Sequence, residues 1–159
     1  MTTYVALLRG IMPTNPNMRG EKLRMVFESL GLSDVTTVIA SGNVIFSTAL
    51  KNIASLETTI EKALTEQLDF KSTTVIRSQA ELETLVQKDP FKGTVDEKPN
   101  YLVVTFFKDR KKELCTVLDT SNAETTSFMS RLEKEHGKKI TTRTWKTVAR
   151  IVAKMDAQK

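Results

Sequence analysis

Between Thr3 and Ser78 the apolar residues switch repeatedly between the two-residue period of a strand and the 3.6-residue period of a helix, and the order of those switches restricts the fold more than any other feature. Residues 3–9 form a β-rich run bounded by the Pro/Asn stretch Met12-Pro13-Thr14-Asn15-Pro16-Asn17. Asn17 is placed to cap a helix whose Leu23, Val26, Phe27 and Leu30 recur at i, i+3, i+4 and i+7, and Gly31 is placed to end it in a left-handed turn. Two β-branched runs follow, Val35–Ala40 and Val44–Thr48. Asn52 can cap a second helix, with Ile53, Leu56, Ile60, Ala63, Leu64 and Leu68 on its inner stripe, and Thr73–Arg77 reads as a fourth strand. The order strand, helix, strand, strand, helix, strand is complete by residue 78, which is the split βαβ, ferredoxin-like pattern.

The two middle strands meet at Ser41-Gly42-Asn43. Gly42-Asn43 suits a two-residue type II′ loop, with the glycine supplying the positive φ. That register sets Ile39 opposite Phe46 and Ala40 opposite Ile45, and leaves the hairpin apolar on both faces. An antiparallel sheet wetted on one side alternates instead. The second face therefore requires a cover: the rest of the chain, or a second copy of it.

The remaining residues supply such a cover. Ser78-x-x-Glu81 is a capping box opening a helix with Leu82, Leu85 and Val86, which Asp89-Pro90 stops. Tyr101–Phe107 is the strongest strand, apolar on both faces. Residues 109–118 read as a helix, and Ser121-x-x-Glu124 as a second capping box before a helix ending at Gly137. Ile140–Thr142 is a short strand, and Trp145, Val148, Ile151, Val152 and Met155 form the apolar stripe of a final helix. The expected architecture is α+β: a ferredoxin-like βαββαβ subdomain over 1–78, and a smaller α+β subdomain over 79–159 packed against it and ending in a basic amphipathic helix.

Composition narrows the chemistry. The six glycines are all isolated, so neither a dinucleotide fingerprint nor a P-loop can be written. One histidine and one cysteine exclude a zinc site built from those ligands, no tight Asp/Glu group suggests another metal, and no cofactor is expected. His136, just before Gly137, reads as a helix-terminal histidine, and Cys115 as a buried, inert thiol. The apolar run Tyr4–Leu8 is too short for a signal-peptide core or a membrane span, and a lone cysteine forms no internal disulfide. The expected compartment is the cytoplasm, with no membrane partner.

The charge is uneven. The chain carries +5, but residues 138–159 alone carry +6 and the rest −1. An anionic partner should meet that C-terminal segment first. Within it Lys146, Arg150 and Lys154 fall at i, i+4 and i+8, one basic stripe on the last helix.

Three segments, Tyr4-Val-Ala-Leu-Leu-Arg-Gly-Ile11, Ala40-Ser-Gly-Asn-Val-Ile-Phe46 and Thr141-Thr-Arg-Thr-Trp-Lys-Thr-Val148, together resemble the bacterial family catalogued as domain of unknown function 1697. The resemblance runs over nearly the whole chain and implies two related α+β subdomains of ferredoxin-like character. It supplies no catalytic residues. Where the family continues the first motif with Asn-Val-Gly-Gly, this chain has Met12-Pro13-Thr14-Asn15, and Thr144 and Lys146 stand where the third motif has asparagines.

Each motif places polar groups at the end of a strand or the start of a helix. Arg9, Ser41, Asn43, Arg143 and Trp145 are thus the candidate ligand-binding residues; the competing structural roles are turn, cap, ion pair and, for Trp145, core packing. The function expected from charge and fold is a small binding module for an anionic ligand, whether nucleotide, phosphate or nucleic acid. One alternative is an enzyme on a small molecule using Arg9, Ser41, Asn43 and Arg143 as polarising groups, although no nucleophile–base pair is visible. The other is a homodimer associating through the apolar sheet face.

Overall fold

The computed structural model describes residues 1–39, 42–108 and 112–158, the side chains of residues 123, 125 and 126 excepted. The first half runs β1 (Thr2–Leu8), α1 (Gly20–Ser29), β2 (Ser33–Thr37), β3 (Asn43–Thr48), α2 (Ile53–Leu68) and β4 (Thr74–Ser78). Its four strands pair antiparallel in the order β2-β3-β1-β4, the ferredoxin-like arrangement expected from the alternation of periods. The second half runs α3 (Gln79–Gln87), β5 (Asn100–Phe107), β6 (Lys112–Asp119), α4 (Ala123–His136), β7 (Ile140–Thr144) and α5 (Trp145–Ala157). Its strands form a second antiparallel sheet, β6-β5-β7.

Strand geometry divides the apolar residues of the first sheet between two cores, because successive side chains point to opposite faces. Ala6, Leu8, Val44, Phe46 and Ile76 face α1 and α2, where Phe46 sits 5.7 Å from both the Tyr4 and Phe27 rings. Val5, Leu7, Ile45 and Val75 face the other way, onto Leu82 and Leu85 of α3, Leu102, Val104 and Phe106 of β5, and Val148, Ile151 and Met155 of α5. The cover that the doubly apolar hairpin demanded is the chain's own second half. The sheet face expected to receive a second copy is filled, and the second core draws residues from both sides of residue 78.

Several local expectations change. Residues 112–119 form a strand, not a helix: β5 is buried on both faces, so it is a central strand and needs a hydrogen-bonding neighbour along each edge, and β6 pairs with it from Phe107↔Lys112 to Asn100↔Asp119. The hairpin loop is wider than two residues. Thr36 faces Ile45, Thr37 faces Val44, and the Val38 amide donates to the Asn43 carbonyl, so Asn43 belongs to β3 and not to the turn. Gly42 lies at φ +83° with its Cα pressed on Ile11 and Leu8, where a Cβ would come within 2.5 Å of Ile11 Cγ1. Asn15, not Asn17, caps the first helical turn (Pro16–Met18), and Asn122, not Ser121, caps α4. Asn52, the Ser78–Glu81 box and Thr144 cap as their spacing requires.

Two arginines cross between the sheets in opposite directions. Arg77 of β4, 1% exposed, donates from Nε to Glu113 (3.0 Å) and from Nη2 to the Phe107 (2.8 Å) and Lys112 carbonyls, while its guanidinium lies 5.7 Å from the centroid of the Phe106 ring. Arg143 of β7 reaches the other way, to Asn43 and to the Leu8 and Gly42 carbonyls.

The β4 edge of the first sheet is closed by carboxylates rather than by another strand. Glu61 and Glu57, one turn apart on α2, accept from the Thr74 amide (2.7 Å) and the Ile76 amide (2.8 Å), and Glu81 accepts from the Ser78 amide (2.9 Å). Occupied N–H groups cannot template pairing with another chain. Burial pushes the Glu57 carboxyl above its ordinary value, against the lowering effects of the Ile76 amide, Lys108 and Arg77. Between the ordinary value of 4.5 and the raised one, the native state holds a proton that the unfolded chain releases, so this group makes stability fall as pH rises through that window. Glu57→Gln keeps the acceptor for Ile76 and removes the titration. Urea unfolding at a series of pH values from 4.5 upward should show the variant gaining on the native protein as pH rises; a difference that stays flat with pH would refute the assignment.

Candidate functional site

The candidate residues separate into two neighbouring places on opposite sides of the Leu8–Arg9 peptide. Arg143 and Asn43 meet directly, Nε to Oδ1 at 2.6 Å. Asn43 is 1% and Arg143 9% exposed. Their polar atoms are committed internally: Arg143 Nη1 donates to Thr141 Oγ1 (2.7 Å) and the Thr142 carbonyl (3.0 Å), Nη2 donates to the Leu8 carbonyl (2.8 Å), and Asn43 Nδ2 donates to the Val38 carbonyl (3.0 Å). Each of these partners is neutral. Burial alone pulls the guanidinium down to about 10, and it remains charged at neutral pH. This geometry ties β7 to the hairpin and to β1. Ser41 lies outside the described residues. Trp145 packs edge-on against Phe91, centroids 5.1 Å apart, at the margin of the second core. Lys146, Arg150 and Lys154 are exposed on α5, an outward stripe whose opposite face, Val148, Ile151 and Met155, is buried.

Arg9 points elsewhere. Strand β1 ends at Leu8, and Arg9 emerges beside α2 and the start of β4, held by its own amide donating to the Thr73 carbonyl (2.9 Å) and by Ser72 Oγ donating to its carbonyl (2.7 Å). Its guanidinium grips Glu133 of α4 through both carboxylate oxygens and donates to the Ile140 carbonyl (3.0 Å). The hydrogen bonds to Glu133 hold the Arg9 guanidinium above its ordinary value.

Beside Arg9 opens a cleft of about 710 Å³. One wall is the outer face of α2 with Thr58, Glu61, Lys62 and Thr65, the floor is Gly10 and Lys71–Thr73, and the far wall is Lys108 at the end of β5 with Lys138 and Lys139 just before β7. Both halves of the chain thus line it. Among the described residues its charged groups are six cations, Arg9, Lys62, Lys71, Lys108, Lys138 and Lys139, and one carboxylate, Glu61. Arg9 is answered within the protein by Glu133, and Lys108 by Glu61. Lys62 meets Glu66 only at 3.9 Å across an exposed helical turn, a contact of small energetic consequence. Among the described residues, Lys71 and Lys138 have no carboxylate within ion-pair distance.

The sequence pointed to Arg9 but not to the lysines around it. They come from α2, from the loop before β4, from the end of β5 and from the approach to β7, and each alone reads as a solvated surface residue. Lys138 and Lys139 carried the one usable signal, as the opening of the +6 segment. Among the described residues there is no group of three or more His, Cys, Asp or Glu able to hold a metal, and no helix long and apolar enough to cross a membrane.

Together these features define an α+β protein with a ferredoxin-like half, a second α+β half closing its second face, and a lysine-rich cleft lined by both. The chain belongs to the family described as protein of unknown function (DUF1697), whose model matches residues 1–136. Its fold is similar to that of a conserved bacterial protein from Streptococcus pneumoniae, with a TM-score of 0.71 at 22% identity over 96% of this chain and 97% of that one. No curated protein matches the chain.

The Arg143 network makes a specific demand on stability. Arg143→Met strands Asn43 Oδ1 and the Leu8 carbonyl in a dry interior, each a loss of about 1–3 kcal/mol, so unfolding in urea should show a destabilisation of about 3 kcal/mol. Arg143→Lys, which cannot reproduce the planar fork, should lose about 2 kcal/mol. A lysine variant with native stability would overturn the structural role.

Proposed function

We propose that this protein is a binding module for a phosphate-bearing anion, held in the cleft between α2, the Arg9–Gly10 turn and the Lys138–Lys139 segment. The observation that supports this is the imbalance of the lining: among the described residues, six cations around one carboxylate, in a space of about 710 Å³ reached from solvent. Like charges converging on a concave surface raise each other's energy, and a bound anion relieves that repulsion. Clefts lined by one sign of charge also focus the field and draw counter-charged ligands toward them. Phosphates, nucleotides and nucleic acid all carry the group such a lining attracts.

The exposed stripe Lys146, Arg150 and Lys154 is the competing cationic surface, and it can be separated from the cleft by charge reversal. Lys71→Glu with Lys138→Glu alters the cleft; Lys146→Glu with Arg150→Glu alters the stripe. All four side chains are exposed, so both variants should melt close to the native temperature. Equilibrium titration with phosphate-bearing small molecules and short oligonucleotides should show binding that weakens with salt, as expected when ammonium–phosphate contacts release counterions. The cleft variant should lose at least tenfold in affinity and the stripe variant less than threefold. Binding abolished by the stripe variant alone, or no salt-sensitive binding to any member of the panel, would overturn the proposal.

A further inference from the structure

The chemistry of the cleft discriminates among anions. We infer that its ligand is a polyphosphoryl chain, phosphates joined directly to one another, recognised without any contribution from a nucleoside. This rests on the anion-binding reading of the cleft given above and narrows it.

Three observations point the same way. Among the described residues the lining contains no aromatic side chain, so these offer no platform on which a base could stack. Base–aromatic stacking is the usual source of affinity for nucleotides held outside a duplex. Next, three of the hydroxyl hydrogens along the lining already have acceptors in the protein: Thr58 donates to the Ala54 carbonyl (3.2 Å), Thr65 to the Glu61 carbonyl (3.2 Å) and Ser72 to the Arg9 carbonyl (2.7 Å). The side-chain donors left to an anion are then chiefly ammonium groups. Finally, the one guanidinium among the described lining residues, the group that reads the planar shape of a carboxylate or a single phosphate, is held in a two-pronged grip by Glu133.

Ammonium groups on flexible stems act as compact point charges with rotatable donors, and they select for charge density over shape. Lys62 lines the α2 wall of the cleft, Lys71 its floor and Lys138 the wall opposite α2. A ligand with several charges packed along a short chain can satisfy both sides at once. A nucleic-acid strand carries one charge per nucleotide and exposes bases for which these walls offer no partner.

The experiment is calorimetric titration of the native chain with tripolyphosphate, ATP, AMP and a single-stranded oligonucleotide, in low salt with a chelator present to exclude metal bridging. Tripolyphosphate and ATP should bind within about threefold of each other, AMP at least tenfold more weakly, and Lys71→Glu with Lys138→Glu should weaken tripolyphosphate at least tenfold without moving the melting temperature. If that double variant proves unstable, Lys62→Glu serves as the cleft probe with the same expected direction. ATP binding more than tenfold tighter than tripolyphosphate, or AMP matching ATP, would show that the nucleoside is recognised and would overturn the inference while leaving an anion-binding cleft in place. Oligonucleotide binding without tripolyphosphate binding has the same meaning. Failure of every probe removes both the inference and the reading beneath it.

Discussion

Two buried guanidinium groups, each reaching out of one sheet into the other, are the constraint around which this fold is arranged. A buried arginine must have its donors met, since leaving one partner unmatched costs far more than the pair contributes. Arg77 meets this demand only if β5 and β6 place the Phe107 and Lys112 carbonyls and Glu113 beside β4. Arg143 meets it only if β7 sits against the hairpin and the end of β1. Apolar contact alone would let the halves slide over each other at modest cost. The two forks, each fixed to backbone carbonyls, set one relative position, which is the kind of specificity attributed to buried polar networks.

That fixed position also creates the cleft. With Leu8 locked to Arg143, the next residue, Arg9, is turned out toward α4, where Glu133 holds it, and toward Ile140 at the start of β7. Lys108 at the end of β5 closes onto Glu61 of α2, and the Lys108 amide donates to the Lys139 carbonyl. The lysines of the lining therefore converge as a by-product of how the halves are fastened. Glu61 serves two neighbours at once: it completes the β4 edge at Thr74 and neutralises Lys108.

Much of the first half could be read from residue patterns because local periodicity and tertiary burial agree there. Leu23, Val26 and Phe27 are buried as their spacing requires, and Asn52 and Ser78 cap where their side chains can reach the third amide beyond them. The doubly apolar strand Val44–Phe46 announced a second core correctly, because only burial on both sides explains that composition. Residues 112–119 misled because their order, Lys-Glu-Leu-Cys-Thr-Val-Leu-Asp, carries no decisive period, and β5 recruits them as a neighbour by long-range pairing that no local window contains. Arg77 escaped notice for a related reason: an arginine at the end of a strand looks like a surface residue until the opposite sheet is in place. Asn43 and Arg143 were conspicuous in the sequence, but their prominence reflects a shared structural bond of 2.6 Å. The lysines that line the cleft are far apart in the chain and individually ordinary, so only the folded arrangement gathers them.

The closed edge of β4 acquires another meaning when the chain is considered during its synthesis. Every residue of the four-stranded sheet has been made by Ser78, whereas Arg143 is added about 65 residues later, roughly 3–13 s at ordinary elongation rates. Throughout that interval the nascent first half can pair its strands but lacks the complete cover for Val5, Leu7, Ile45 and Val75, since Val148, Ile151 and Met155 of α5 come last. Glu57 and Glu61 are already present on α2 and can occupy the β4 amides from the start. The carboxylates that seem redundant in the finished molecule would shield a growing chain from its neighbours on the same messenger until the second half arrives to finish it.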